Sequence, residues 1–580
     1  MPDAVREFKW WAERKNKYLE MIGPYADGYG RAMVARDRET VARLGRVKIF
    51  DTTGRDGMQT PETAAFVTEH TGNSVVDNKV AICMMLAQWG IPIIEVGNAV
   101  SNPGEIEAIR RVRRTVMELG LGTEIVSLGR MVRRDIDAAV EANAKTMHIY
   151  SSGSIPHAWV KFDKMPEELM DHIDECVRYA RQRGFEKIIV SLEDAARADP
   201  EHLVRVGERI YEAAGRYGIE YNIPDTIGVC DPAYMYSLIT YLRSKIPQLP
   251  LQVHCHNDMG MAVQNTIAAM LAGVDVAQVT VHGVGERTGN AAMEQVLMYM
   301  YLNYGIEYVD MKRLAEISKF VAERFGIGPA ENAPEVGKKA LKHTAGVHGD
   351  GVLKSEVTGY STRNKGADRR DNGSVYMPYG PEIIGRKEEV GVGSLAGNKN
   401  VIRMLGEFGV SIPDEKASDI LAAVKKRTAT RMVSDADFFL MTYAVVMGKP
   451  CSPVDDVRID VVSTGDAGRI ARVRARVNGK EAVGEDTSGD GAVDVGVNAI
   501  RAAVGNGAGV KMSFFNCHGM GEGSNAPGRI TMILKKGGLE VESSVVGTDT
   551  IRASIDAFVK GYNALHALEE LRAEYPAVSE

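Results

Sequence analysis

The sequence predicts an α/β protein built on a closed (β/α)8 barrel, followed by a helical linker subdomain and a C-terminal α/β domain. Three observations lead there. Short β-branched runs alternate with helix-spaced stretches from residue 47 to residue 281, the order that produces a parallel sheet. Eight such units in a stretch of this length fit a closed barrel, with a doubly wound open sheet as the alternative. The unusual polar residues of the region fall at the C-terminal ends of the predicted strands, the end at which such barrels carry their chemistry.

The strands are read at Val47–Phe50, Ile91–Val96, Glu124–Leu128, Thr146–Tyr150, Lys187–Leu192, Tyr221–Pro224, Leu251–His254 and Gln278–Val281. Helical spacing fills most of the gaps, for example Pro166–Arg183 and Pro200–Tyr217. No GxGxxG follows the first strand, which weakens a dinucleotide-binding reading. Residues 1–45 are charged and helix-prone, as at Phe8-Lys-Trp-Trp-Ala-Glu-Arg14, and form an N-terminal helical extension. The barrel domain is placed at 46–308 and the linker subdomains at 309–430, around a Gly-, Asn-, Arg- and Asp-rich loop from Thr362 to Asn372. The C-terminal domain takes 431–580. Its strands are expected at Val457–Val462 and Arg469–Val477, with a helix at Val493–Ala503. A hairpin, Ile530–Leu534 with Leu539–Ser543, turns at Lys535-Lys-Gly-Gly538, and a final helix spans Thr550–Leu568.

Bulk properties bound the function. A chain of 580 residues is too long for one core. A hydrophobic content of 44% and a charged content of 25% are those of a globular protein. The formal charge of −7 argues against a nucleic-acid or anionic-membrane surface. The N-terminus lacks the apolar core of a signal peptide, and the apolar stretch Val80–Val100 is broken by Gln88, Gly90, Pro92, Glu95 and Asn98. Six cysteines without a CxxC pair fit free thiols in a reducing, cytoplasmic setting.

Side chains at i and i+2 of a strand share a face. His254 and His256 of Val253-His-Cys-His-Asn-Asp258 can therefore reach one ion together, with Cys255 on the opposite side. Asp56, after the first strand, would add a hard oxygen ligand. Two imidazoles, one carboxylate and open positions suit a catalytic divalent cation (Mg2+, Mn2+ or Zn2+) that polarises a carbonyl. Arg55, His148, Glu193, Thr226 and the loop His282-Gly-Val-Gly-Glu-Arg-Thr-Gly-Asn290 lie at the same rim. Each also has a plainer reading. A lone strand His is more often a core residue, Asp56 suits a turn or a helix cap, and Glu193-Asp194 could cap the helix near Pro200. Gly285-Glu-Arg-Thr-Gly289 could be a tight loop with a salt bridge.

The set as a whole resembles the acyl-CoA-condensing metalloenzymes of the isopropylmalate, homocitrate and citramalate synthase family, which are TIM barrels. Asp51-Thr-Thr-Gly-Arg-Asp-Gly57, Glu95-Val-Gly97, Asn222-Ile-Pro-Asp-Thr226, His254-Cys-His-Asn-Asp258 and Gly283–Asn290 match in order. His343-Thr-Ala-Gly-Val-His-Gly-Asp350 and Met377-Pro-Tyr-Gly-Pro381 are similar to linker segments that carry a catalytic His and Tyr. Val477–Ile500 and Gly547-Thr-Asp-Thr-Ile551 are similar to the leucine-sensing domain of isopropylmalate synthases.

The resemblance implies a divalent metal held by Asp56, His254 and His256, with Asn290 as a further ligand or close neighbour. It implies that Arg55 contacts the oxygen that becomes negative and that Thr226 holds the carboxylate of a 2-oxo acid. His148 and Glu286 join them in substrate binding, while Glu193, His348 and Tyr379 support the acid/base steps. The implied reaction condenses acetyl-CoA with a 2-oxo acid and hydrolyses the thioester. The C-terminal domain favours the isopropylmalate branch, with citramalate and homocitrate synthases as alternatives and a metal-dependent lyase or aldolase further off. A non-catalytic effector-binding protein is the remaining reading. A homodimer sharing its sites and a leucine-like effector are also implied. Some positions depart from the family pattern: Gly54 where Leu is common, Met58 where an acid is common, Leu395-Ala-Gly-Asn398 for a His-Ser-Gly, and Asn98-Ala99 for a more apolar pair. Asn98 either lines the 2-oxo acid pocket, which would favour a more polar substrate, or caps its own loop.

Overall fold

A computed structural model describes residues 38–59, 72–326, 328–343, 345, 348, 351, 376–387, 389–429, 432–465, 468–505, 509–523 and 525–577. The segment at Phe8–Arg14 and the loop Thr362–Asn372 lie outside the described residues, as do Thr344, Gly346, Val347, Gly349 and Asp350.

Eight parallel strands close into a barrel in sequence order, β1 (Lys48–Asp51), β2 (Ile93–Asn98), β3 (Glu124–Arg130), β4 (Thr146–Ser152), β5 (Lys187–Glu193), β6 (Ile219–Asp225), β7 (Leu251–Cys255) and β8 (Val276–Val279). Closure is the pairing of β1 with β8, Phe50 opposite Gln278 and Asp51 opposite Val279. Largely buried on both faces, these strands carry Ile, Val or Leu in every member, interspersed with polar residues. Phe50, Ile93, Val126, Ile189 and Val276 form one apolar cluster. Two residues further along β2 and β5 stand Glu95 and Ser191, so the strand period itself brings polar groups above the apolar layer.

Several strand boundaries differ from expectation, two of them for a plain physical reason. The second strand starts at Ile93 because Pro92 has no N–H to give to the ladder. The eighth ends at Val279, not Val281: Val281–Gly283 is a 3-10 turn in which His282 is left-handed, at φ 59°. The helix Pro200–Ala213 is capped by Asp199, whose side chain accepts from the Glu201 N–H, so Glu193-Asp194 does not serve as its cap. Of the N-terminal extension, the described part is the helix Arg38–Leu44. After the barrel, the helix Leu314–Phe325 follows, and a 3-10 turn at Pro381–Ile384 lies in the same unit.

The second compact unit carries two-residue strands β9 (Lys342–His343) and β10 (Glu389–Val390) and the helices Asn398–Glu407, Asp414–Thr428 and Asp435–Met447. A strand–strand–strand–helix pattern then occurs twice. The first sheet is β11 (Val454–Gly465), β12 (Gly468–Val477) and β13 (Lys480–Asp486), followed by the helix Ala492–Ala503. The second is β14 (Lys511–Gly519), β15 (Gly528–Lys536) and β16 (Leu539–Gly547), followed by the helix Thr550–Glu574, which runs six residues past the expected end at Leu568. Its later turns stay helical because Leu568 and Leu571 remain buried in the core. The β12–β13 turn is Asn478-Gly479, both at positive φ, a two-residue hairpin signal. The helix Ala492–Ala503 lies close on β13, since a Cβ at Gly484 would stand 1.9 Å from the Ala499 carbonyl oxygen. All six cysteines are unpaired, five buried and Cys517 exposed. Among the described residues, no helix is long and apolar enough to cross a membrane.

Candidate metal centre

The loop after β1 turns tightly, with the Asp56 N–H donating to the Thr52 carbonyl at 2.8 Å, and aims Asp56 inward. His254 lies in β7, and His256 follows it in an isolated bridge to Asn290. One ligand atom from each of Asp56, His254 and His256 lies within 4.8 Å of the others, and all three residues are buried. Cys255 is turned to the other side, as the strand period requires, where its thiol meets the Thr266 side chain. The Asn290 amide donates to Asp56 Oδ2 and to the Val284 carbonyl at 3.1 Å.

The donor set fits a cation. The two Nε2 atoms are 3.3 Å apart. Two nitrogens bound at about 2.1 Å and about 100° apart would be separated by roughly that much. Burial, with the partner imidazole, pushes the His254 pKa down to about 3, and burial likewise lowers that of His256. Neutral rings present lone pairs, and two lone pairs converging without an ion or proton between them would repel. The Nδ1 atoms of both rings and Asn290 Oδ1 are buried without a hydrogen-bond partner. Burial works against the Asp56 charge. Arg55, the two imidazoles and the Asn290 amide outweigh it, and the carboxyl stays below its usual range.

Arg55 bridges the centre to a second group of side chains. It contacts Asp56 Oδ1 at 3.1 Å and donates to Glu95 Oε2 at 2.5 Å. Glu95 Oε1 is 2.6 Å from His148 Nδ1, and His148 Nε2 is 2.6 Å from Ser191 Oγ. Asn222 donates to the same hydroxyl at 2.7 Å. Burial alone would raise the Glu95 pKa, but Arg55 and His148 pull it down to about 2. Sequence alone assigns no role to Glu95, Ser191 and Asn222. Their signal was available: each is a polar residue inside an otherwise apolar strand, a costly placement unless satisfied. Beneath them Asp51 accepts from the Thr53 N–H and hydroxyl, and burial raises it to about 7.

The remaining expected residues sit in distinct places. Thr226 follows β6 and is half-buried; its hydroxyl oxygen accepts the Asp194 N–H at 2.8 Å. Glu193 ends β5 and pairs with Lys161. Glu286 is exposed in the loop before Asn290, and Arg287 in that loop pairs with Asp258 at 2.7 Å, so the salt-bridged loop reading holds for that neighbour. Tyr379 is buried, and burial with the nearby Glu335 carboxylate lifts its phenol well above the usual range. His348 belongs to the second unit, where its exposed ring stacks on Tyr376 at 4.3 Å between centroids. Asn98 caps its own loop: its Oδ1 accepts the Val100 N–H at 3.3 Å.

Residues 46–321 match the HMGL-like family, and residues 432–566 match the LeuA allosteric (dimerisation) domain. A probable 2-isopropylmalate synthase of Methanopyrus kandleri is 33% identical over 526 residues, 90% of this chain and 98% of the relative. The chain belongs to the 2-isopropylmalate and citramalate synthase family. It is an enzyme of that acyl-CoA-condensing family. Methanocaldococcus jannaschii has a 2-isopropylmalate synthase 31% identical over 90% of this chain and 96% of its own length. A putative (R)-citramalate synthase of Archaeoglobus fulgidus is 32% identical over 90% of this chain and the whole of its own.

Proposed function

We propose that this enzyme is a 2-isopropylmalate synthase, joining the methyl carbon of acetyl-CoA to the ketone carbon of 2-oxoisovalerate and hydrolysing the thioester. The observation that carries the reading is the convergence of Asp56, His254 and His256 beside the buried Arg55. A divalent cation held by these three ligands, with Asn290 at its side, would supply Lewis acidity toward the ketone oxygen.

The side chains account for the rest. Thr226 binds the carboxylate of the 2-oxo acid. Arg55 is fixed by Glu95 and keeps further N–H groups for the oxygen on which negative charge develops, a preorganised donor in a dry site. His148, Ser191 and Asn222 hold Glu95 in place and line the acid's pocket. Proton removal from the acetyl methyl falls to Glu193 or His348. Tyr379, whose phenol stays protonated at neutral pH, suits proton donation instead. The nucleophilic carbon then attacks the ketone carbon, the alkoxide takes a proton, and water cleaves the thioester to release CoA.

Asn98 is consistent with the branched, apolar acid, because its side-chain oxygen accepts the Val100 N–H. Citramalate synthesis from pyruvate is the second reading, favoured by relatives of that name at similar identity. Thiol release from acetyl-CoA with 2-oxoisovalerate, pyruvate, 2-oxoglutarate and oxaloacetate decides. Highest kcat/KM with 2-oxoisovalerate is expected; a clear preference for pyruvate selects citramalate, and no release with any acid overturns both. We further propose a homodimer formed through the 432–566 domain and a leucine-like effector bound there.

A further inference from the structure

Asp194 is fully buried, yet it lies in the left-handed region, at φ 64° and ψ 29°. A non-glycine residue there costs about 1 kcal/mol and persists only when its surroundings over-determine it. Here they do. The carboxylate accepts the Ser154 hydroxyl and a forked contact from Arg197, whose Nε reaches Oδ1 at 2.9 Å and whose Nη2 reaches Oδ2 at 2.7 Å. The strained turn has a consequence on the other side of the residue: it points the Asp194 N–H at Thr226 Oγ1, 2.8 Å away.

Thr226 is gripped at its other end as well. Its carbonyl accepts from Arg287 Nη2 at 2.7 Å, and Arg287 is anchored on Asp258. The β6–β7 register sets Pro224 opposite His254, so Thr226, two residues on, comes level with His256. A threonine hydroxyl has one proton to give and two lone pairs. One lone pair is taken by Asp194. Among the described residues, nothing accepts the proton.

We propose that Asp194 is a positioning residue: its side-chain clamp holds the backbone N–H that orients the Thr226 hydroxyl, so that the proton is presented to the substrate carboxylate. This rests on the assignment of Thr226 as the carboxylate-binding group. The device works by preorganisation: with one lone pair engaged, the hydroxyl has fewer orientations to lose when the acid binds.

A double-mutant cycle on the full-length, metal-loaded enzyme tests it. Thr226→Ala should raise KM for the 2-oxo acid about tenfold or more, the scale of one hydrogen bond to a charged group. Asp194→Ala should raise the same KM by a comparable factor, leave KM for acetyl-CoA within about twofold, and add nothing in the Thr226→Ala background. Both single variants should also lose preference for the acid over its methyl ester, which a merely structural defect would not produce. Should Asp194→Ala fail to fold, Arg197→Ala and Asp194→Asn take its place, Asn being tolerant of the left-handed region. Raised KM values that multiply in the double variant overturn the positioning role and leave Thr226 standing. An unchanged KM in Thr226→Ala overturns the assignment of Thr226 and this inference with it.

Discussion

At the level of single residues, the decisive feature is charge held in a dry site. Asp56 faces two neutral imidazoles and one guanidinium, and its neighbours contribute mostly by orientation. Replacing His254 with Ala should abolish stoichiometric divalent-metal retention after dialysis and cut kcat by about 1,000-fold or more, since loss of a ligand removes the Lewis acid altogether. Metal analysis together with the thiol assay checks this; full activity with full metal content would refute the centre. Below the site, Glu294 accepts the His282 N–H, and burial lifts its pKa from 4.5 to about 7. The folded state thus binds this proton more tightly than the unfolded chain. Its contribution is complete below pH 4.5 and is lost as pH rises through 7. Glu294→Gln keeps the accepting oxygen without the charge. It should leave stability unchanged below pH 4.5 and raise it on the order of 3 kcal/mol above pH 7. Equal thermal shifts at pH 4 and pH 8 would contradict that account. Glu95 has the opposite sign: its pKa is lowered to about 2, so its contribution is present above pH 4.5 and lost below.

Among elements, loops carry the geometry and strands carry the loops. The segment Gly283–Asn290 places Asn290 against Asp56, and it does so through backbone packing that a side chain would block. Gly289 has φ 89°, and a Cβ there would stand 1.9 Å from the Gly283 carbonyl oxygen. Gly289→Ala should weaken metal affinity about 10- to 100-fold, the usual effect of disturbing the groups that support ligands, and lower the melting temperature as well, because the added Cβ meets backbone at a left-handed φ. Metal titration followed by calorimetry reads both, and unaltered affinity would mean the loop does not position the site. In the C-terminal unit, Gly484 lets the helix Ala492–Ala503 rest on β13. Gly484→Val should destabilise that unit by about 1–3 kcal/mol, the cost of overpacking, and expose it to limited proteolysis while the barrel stays resistant. Equal protease resistance of the two proteins would argue against close packing at this point.

For the molecule as a whole, the two units carry different parts: the barrel carries the proposed metal ligands, and the second unit carries the doubled strand–strand–strand–helix domain together with His348. If the sites of a dimer are shared between chains, mixing inactive His254→Ala with inactive His348→Ala chains under subunit exchange should recover about a quarter of full activity on the assumption of random pairing and one intact site per mixed dimer. Co-purification of differently tagged chains establishes whether mixed dimers formed; their formation without recovered activity excludes sharing. A leucine-like effector can alter the rate only by binding two states of the enzyme unequally. Binding to the full chain and inhibition should therefore appear over the same concentration range, and both should vanish when residues 432–580 are removed.

Much of this was readable in the chain. Eight alternating strands and the HxH pair follow from local periodicity, since a strand alternates faces every residue and a parallel strand buried on both sides must be apolar. For the same reason, Cys255 could be assigned to the opposite side in advance. The Asn478-Gly479 hairpin was equally open to a local reading, but the charged run Lys480–Asp486 obscured the strand beyond it. Other features exist only after folding. Nothing local in Asn98 distinguishes a pocket lining from a loop cap, and nothing near Ser191 announces that it joins His148 to Asn222. Asp56 and His254 are nearly two hundred residues apart, and their meeting at 3.8 Å comes from closing the barrel. Local pattern sets which way a side chain points along its own strand; distances between strands are set by closure and register, which every strand determines jointly.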